Sequence, residues 1–462
     1  MEKLDFLFIY EHKVRELENL CLMKYELDRR GYRTKIIYIN DADNALSPII
    51  IYKTKVLCMM ACYHNKTLRW HVKDFVDFEK IIDLQWENIV YPHDEHRENA
   101  YKNYKEVGKE VVHISWGKQN AERLIRVAHI SPEKVKVTGH VGLDFLREPL
   151  KNYYLSKEEL FKKYDIPDGH KVLLFASPYY SDGLSEEYIE DMCSRFGEHW
   201  REYYAFMCDS QKIVLQWFEK ICTQDHNIII IFRPHPGHPS KAAQELAAKC
   251  PNFRIIGEAS VKQWIVTCDA IYTGNSSVIV EAYFARKNCQ LLFPIDTTEG
   301  FELSLISDSK KIKNYDDFEK SIYSDNLPFP TPQKSIEEIY LTDWDEPCYI
   351  KFANVAEEIL RGEDFRLSKK QLHNYKEYSF ATRLIKGICR IDWIYSIYIS
   401  LLQNKRIHWQ WIEHQRKVRE KAYLAEKQDS HETTSPEEIG RIINRIQYAL
   451  ETSNKEEDNR HE

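Results

Sequence analysis

The chain counts 462 residues, of which 43% are hydrophobic and 30% charged, and its formal net charge is −7. So long a chain predicts two or three domains with separate cores, and its acidic balance argues against general nucleic-acid binding. No uninterrupted apolar run reaches the roughly 20 residues that span a bilayer, and eleven scattered cysteines give neither a disulfide framework nor a zinc site.

The N-terminus enters a strand at once, over residues 4–10, without a signal-peptide pattern. The sequence therefore places the protein in the cytoplasm, with reduced thiols. A helix is expected over 11–30, with Val14, Leu17, Leu20, Cys21, Tyr25 and Leu27 near one face. Gly31 ends it, and 34–39 reads as a second strand. This β-α-β opening lacks the glycine-rich fingerprint of dinucleotide folds, so no cofactor is expected. Glu11, His12 and Arg15 stand just after the first strand, where the chemistry of such sheets sits. Glu11 is the candidate base or nucleophile, and His12 and Arg15 are candidate acceptor contacts. A solvated helix start, which also favours acidic residues, is the plainer alternative.

Further strands are expected at 49–52, 56–61, 88–91, 110–115 and 134–138, with helices at 67–77, 95–107 and 118–128. His140 lies in the turn after the last strand, and His64, His71, His93 and His96 are further candidates that the sequence does not rank. Ser156 heads Lys157-Glu158-Glu159 as a capping box, and a domain boundary is placed after residue 160. A second sheet starts at 171–176, with Ser177 at its carboxyl end. The aromatic-rich helical stretch 186–222 supplies core, and a helical region over 336–361 closes this domain.

The stretch 227–294 carries the chemistry. A strand over 228–232 breaks at Arg233-Pro234-His235-Pro236-Gly237-His238-Pro239. A helix at 240–249, a strand at 253–256, a helix start at 260–267 and a strand ending at Tyr272 follow. Thr273-Gly274-Asn275-Ser276-Ser277 then leads into a helix over 278–286, and a strand at 290–293 closes the unit. Such alternation builds a parallel sheet wound with helices, whose ligands bind at the carboxyl ends of the strands. Asn275, Ser276 and Ser277 offer backbone amides and hydroxyls at a helix start, which favours a phosphate. Glu281, one turn further, can accept hydrogen bonds from a ribose diol. Arg233 can fork onto phosphate oxygens. His235 can donate to a phosphate or move a proton near neutral pH, and His238 is the weaker candidate of the two. Plain N-capping with a surface Glu281 is the alternative. No DxD-type metal signature accompanies these residues, so metal-independent chemistry is expected, with the helix dipole, Arg233 and His235 stabilising the leaving phosphate.

The segments FRPHPGHP at 232–239, CDAIYTGNSSVIVEA at 268–282 and QLLFP at 290–294 resemble the nucleotide-binding domain of GT-B-fold transferases. The nearest group is that of bacterial surface-carbohydrate enzymes related to CDP-glycerol glycerophosphotransferases and Kdo transferases. YEHKVRELENLCLMKYELDRRGY at 10–32 resembles the opening of the same group. The segment also resembles UDP-N-acetylglucosamine 2-epimerases. The resemblance implies an α/β fold of two Rossmann-like domains facing across a cleft, with a C-terminal helical extension. Residues 1–160 would take the acceptor, 161–365 the donor, and 366–462 would form the extension. It further implies that Arg233 and His235 contact the donor phosphates, that Ser276 and Ser277 hold them from the helix start and that Glu281 binds the ribose; beside these, His235 is the catalytic candidate of this domain, and His238, Ser177 and Asn275 are further donor-binding candidates. The expected reaction moves a group from a nucleotide-activated sugar or polyol, CMP- or CDP-linked, to a glycan or lipid-linked glycan acceptor. A 2-epimerase-like enzyme and a non-catalytic scaffold of a glycan assembly complex are the alternatives.

The basic tail lies outside that resemblance. Residues 366–424 hold thirteen Lys/Arg against four Asp/Glu, and 391–402 is almost continuously apolar, with Trp393, Tyr395, Tyr398, Trp409 and Trp411 around it. This pattern fits a helix lying on an anionic membrane surface at the inner face of the cell membrane, or a helix packed on the protein body. Ser435-Pro436 starts one more helix, with Ile439, Ile442, Ile443 and Ile446 along one face.

Overall fold

The computed structural model describes residues 2–39, 52–72, 76–86, 101–179, 183–234, 240–258, 260–297, 301–324, 326–375 and 432–458, with single positions between 397 and 413. The described residues form two compact units: those within 1–88, 98–142 and 341–448 make the first, and those within 143–340 and 449–462 the second. The class is α/β, as the alternation of elements predicts. The second unit starts at Leu143, ahead of the expected boundary at 160, and the chain returns to the first unit at Leu341.

In the first unit the chain runs β1 (Glu2–Tyr10), α1 (Lys13–Arg29), β2 (Thr34–Tyr38), β3 (Tyr52–Met59), α2 (Asn65–His71), β4 (Val76–Asp83), β5 (Val112–Ser115), α3 (Lys118–Arg126) and β6 (Val135–Val137). The sheet order is β2-β1-β3-β4-β5-β6, with parallel pairing throughout. β1 is buried from Leu4 onward, as a central parallel strand covered on both faces must be. Helix α1 seats Leu17, Leu20, Cys21 and Leu27 in the core, but Val14 is 60% exposed, so the apolar face begins a turn later than expected.

One strand, β3, stands where two were expected, and β4 occupies the end of the expected helix 67–77. The reason is Lys80. Its ammonium donates to the carbonyls of Ile359 (2.9 Å) and Leu360 (2.7 Å), so a charged residue sits buried in mid-strand and breaks the apolar pattern. Burial holds the Lys80 pKa below its ordinary value. The expected strand at 88–91, most of the helix at 95–107, His93 and His96 lie outside the described residues.

The second unit runs α4 (Lys157–Lys163), β7 (Lys171–Ala176), α5 (Glu186–Phe196), α6 (His199–Gln224), β8 (Ile228–Arg233), α7 (Lys241–Lys249), β9 (Phe253–Ile255), α8 (Val261–Thr267), β10 (Ala270–Thr273), α9 (Val278–Phe284), β11 (Cys289–Leu292), β12 (Lys311–Ile312), α10 (Tyr315–Tyr323) and α11 (Gln333–Ile339). The Ser156 capping box is present, with Ser156 Oγ accepting from the Glu159 amide and Glu159 Oε2 from the Ser156 amide. The order β12-β11-β10-β7-β8-β9, again all parallel, is that of a doubly wound α/β sheet. Phe175, Phe218, Phe232, Phe253 and Phe318 fill the layer between the sheet and its helices.

The expected closing helix at 336–361 is in fact two helices. α11 ends at Ile339, and α12 (Cys348–Arg361) belongs to the first unit, where Phe352 meets Phe8 and Arg30 reaches Asn354 and Glu357. Pro347 at the N-terminal boundary of α12 explains the break, since proline suits a helix start and not a helix interior. α13 (Lys369–Tyr375) and α14 (Pro436–Asp458) follow. Ser435 caps α14 through its hydroxyl on the Glu438 amide, as expected. The apolar run 391–402 and most of the basic zone lie outside the described residues.

Candidate functional site

In the second unit, β7 is laid down first, β8 and β9 are added on one side of it, and β10 to β12 on the other. The order therefore reverses between β7 and β10, and a doubly wound sheet opens its ligand crevice at that point, outside the carboxyl ends. The pairs Thr273↔Ala176 and Ala176↔Arg233 set the last residues of β10, β7 and β8 in one row. With strands about 4.8 Å apart, the three loops leave the sheet within about 10 Å of each other. Thr273 Oγ1 donates to the Ala176 carbonyl (2.7 Å) and the Ser177 amide to the Arg233 carbonyl (3.0 Å), which continues the row into the loops. Gly274 lets the first two loops close up. A Cβ there would stand 3.0 Å from Pro178 Cγ and 3.4 Å from the Leu292 carbonyl.

The side chains at and after this row are held to different degrees. Asn275 is framework: its amide donates to the Phe301 carbonyl (2.7 Å) and its oxygen accepts from the Leu303 amide (2.9 Å). Phe301 in turn stacks on Tyr203, with centroids 4.3 Å apart. Ser177 accepts from the Tyr179 amide (3.2 Å), and Ser276 accepts from the Val278 amide (3.3 Å), so both hydroxyl oxygens shape their turns. Ser277 is the residue at the cap position of α9, and it makes no side-chain cap. Its hydroxyl is thus left for other partners at the helix start, where neither Asn275 nor Ser276 holds the cap position. Arg233 is buried at the end of β8 and donates from Nη1 to the Glu258 carbonyl (3.2 Å). Glu281 lies in the first turn of α9 near Tyr340, whose phenol pKa is pushed up by burial and further by that carboxylate. His235 and His238 lie outside the described residues.

The second unit also has an open cavity of about 530 Å³, lined by Lys157, Phe161, His170, Lys171 and Asp269 among others. It sits at the amino ends of β7 and β10, the opposite end from the row. Lys157 is already paired with Asp269 (2.6 Å) there. The carboxyl ends of β7, β8 and β10 are the better-founded site, because their last residues stand in one row at the point where the strand order reverses.

The first sheet reverses between β1 and β3, and Glu11 and His12 follow β1 at its carboxyl end. Here the structure adds Glu16, which sequence reading passed over. It is fully buried and accepts from the Glu11 amide (2.9 Å) and from Arg15 Nε (3.2 Å) and Nη2 (2.9 Å). Burial holds its carboxyl above the usual range, with Arg15 opposing. Arg15 is therefore engaged with Glu16, while His12 stands exposed ahead of α1. Beside this corner, Asp83 ties together the ends of β3, β4 and β5. It accepts from the amides of Cys62 (3.0 Å) and Gln85 (3.0 Å) and from Gln85 Nε2 (2.7 Å), and His113 Nδ1 lies 3.0 Å away. Of the other histidines, His64 caps α2 through the Thr67 amide and His140 lies edge-on to Trp116 and Trp86. Nothing is described of the His71 side chain.

No protein-family model and no characterised protein sequence matches the chain. Solved structures similar to it include the wall teichoic acid polymerase TagF, at 13% identity and TM-score 0.46, covering 80% of this chain and 89% of that one. A UDP-N-acetylglucosamine 2-epimerase is similar at 11% identity and TM-score 0.44, covering 82% and 98%. An S. aureus MnaA–UDP structure is similar at 12% identity and TM-score 0.38, covering 84% and 96%. The class that the chain's own topology defines is a two-unit α/β protein with a doubly wound second sheet.

Proposed function

We propose that this protein is a transferase that moves a sugar or a polyol phosphate from a nucleotide-activated donor to a bacterial surface glycan. The reading is supported by the row Thr273–Ala176–Arg233, which aligns the carboxyl ends of β10, β7 and β8, with a buried arginine ending one strand and the start of α9 following another. Arg233 and the α9 amides with Ser277 hold the phosphates, and Glu281 takes the ribose. His235 assists the leaving phosphate, and His238 and Ser177 line the same crevice. Asn275 holds the shape of that crevice through residues 301–303. The acceptor belongs to the first unit, with Glu11 as the base and His12 and Arg15 beside it. The sequence resemblance favours a CMP- or CDP-linked donor.

A thermal-shift panel of CMP, CDP, UMP, UDP, GDP and ADP tests the donor. At 100 times its Kd a nucleotide adds about 2.7 kcal/mol to the native state, so a cytidine nucleotide is expected to raise the melting temperature measurably. A uridine-selective shift would transfer the reading to a 2-epimerase-like enzyme, and no shift with any nucleotide would leave only the scaffold.

Among the described residues no helix is long and apolar enough to cross a membrane. The basic zone 366–424 is proposed to rest on an anionic surface. Each cationic side chain near such a surface contributes about 1 kcal/mol. The triple variant Arg416→Gln, Lys417→Gln, Arg419→Gln is therefore expected to float with phosphatidylglycerol vesicles at least tenfold less. Undiminished flotation would place that zone elsewhere.

A further inference from the structure

The last described helix is reached through a segment that crosses back over the start of the chain. The Tyr10 hydroxyl, at the end of β1, lies 2.7 Å from the Glu432 carbonyl and 2.8 Å from Thr434 Oγ1, donating to the first and receiving from the second. The backbone amide of Lys13, the first residue of α1, donates to Glu432 Oε2 at 2.5 Å. The Lys13 ammonium donates to the Thr433 carbonyl (3.1 Å) and to Glu438 Oε2 (2.8 Å).

Two features make this more than a tether. The first-turn amides of a helix lack internal partners, and a local Ser, Thr, Asp or Asn ordinarily meets one of them. His12 holds the cap position of α1 and makes no side-chain cap, and the Lys13 amide is met by a carboxylate from the far end of the chain. The place it occupies is the carboxyl end of β1, beside Glu11, His12 and Arg15. The contacts are also of a releasable kind. Residues 432–434 are only half-buried, the Lys13–Glu438 pair is partly exposed (22% and 29%), and all are polar contacts of modest net strength in water.

We propose that residues 432–438 are an autoinhibitory strap, in which Glu432 and Thr434 occupy the polar groups at the carboxyl end of β1 that an anionic acceptor end must reach. This rests on the reading that the first unit takes the acceptor. A phosphate-bearing acceptor displaces the Glu432 carboxylate from the Lys13 amide, and the strap lifts away from Tyr10. The strap thus sets the acceptor affinity of the first unit.

Inorganic phosphate is the probe, used on the full chain and on its Glu432→Ala and Glu438→Gln variants. Removing a resident competitor restores the affinity it withholds, so Glu432→Ala is expected to bind phosphate about fivefold or more tightly than the parent. In the parent, phosphate is expected to speed hydrogen exchange in the peptide 432–438. Glu438→Gln, which breaks only the ion pair, is expected to fall between the two. Equal phosphate affinity in the parent and Glu432→Ala overturns the strap. So does loss of exchange protection throughout β1 to β3 in Glu432→Ala, which would make the segment a structural clasp. Nucleotide-dependent stabilisation measured in the same variants separates the two readings. Its presence with no strap effect overturns the strap alone, and a strap effect without it overturns the donor reading alone.

Discussion

Replacing Arg233 with alanine is expected to weaken nucleotide binding by about 2–5 kcal/mol, the range for truncating one member of a buried, hydrogen-bonded charge pair. Each 1.4 kcal/mol is tenfold in affinity, so titration calorimetry with CDP and UDP would see at least a thirtyfold loss. The size of the effect follows from position. Arg233 ends β8 in the same register row as Ala176 and Thr273, so its guanidinium is carried by the sheet and not by a loop. Its surroundings are nearly closed to water, which strengthens a charge-assisted bond to a phosphate. Lysine is the informative control. An ammonium can still reach the Glu258 carbonyl that Nη1 now holds, so Arg233→Lys keeps the fold and the charge. It loses the planar fork, and is expected to recover part of the affinity only. If alanine at 233 bound nucleotide within twofold of the parent, the phosphates would have to lie elsewhere in the crevice.

The sequence announces this crevice because strand, loop and helix signals there agree. The apolar runs of β8, β10 and β11 are short and clean, and prolines and a glycine mark the loops between them. What the sequence hides is how the polar side chains are used. Asn275 and Ser277 look equivalent in the run Gly274-Asn275-Ser276-Ser277. Asn275 nevertheless turns to residues 301–303, nearly thirty positions onward, and Ser277 takes the cap position. A contact that distant leaves no local trace.

In the first unit the same blindness affects the fold itself. β1 and β2 read correctly, since they are apolar and bounded by a helix with a glycine stop. β4 does not, because Lys80 is buried on the carbonyls that end α12. Glu16 and Asp83 fail for the same cause: an acidic residue in sequence signals solvent, yet both are fully buried, Glu16 against the Glu11 amide and Arg15 and Asp83 against the Cys62 and Gln85 amides and His113. Buried polar residues are the places where a periodicity argument misleads, and here they gather at the carboxyl end of the first sheet. The likeness between the two units is thus one of six-stranded all-parallel architecture, while their strand orders differ and their polar interiors are built differently.

That concentration makes Asp83 the residue whose loss should cost the most stability. Its carboxylate is wholly inaccessible and receives the Cys62 amide, the Gln85 amide and Gln85 Nε2, with His113 Nδ1 at 3.0 Å. His113 Nε2 in turn lies 2.8 Å from the Gly108 carbonyl, and Gln85 Nε2 reaches the Tyr104 hydroxyl at 2.6 Å. Asp83→Ala leaves all those groups buried without their acceptor, and removing one partner of such a pair typically costs about 3–5 kcal/mol. Asp83→Asn keeps the shape and one oxygen, so it should cost about 1–3 kcal/mol, the cost of a misplaced donor among donors. Urea unfolding followed by exchange in β3 to β5 measures the first unit by itself, which matters because a two-unit chain need not unfold in one step. A cycle with His113→Gln apportions the result. If the two single losses simply add, Asp83 and His113 act separately and the ends of β4 and β5 are not held as one piece. If the double variant loses little more than Asp83→Ala alone, the network is a unit. It then fixes the strand ends that frame the Glu11 corner, and its disruption should loosen that corner before the rest of the sheet opens.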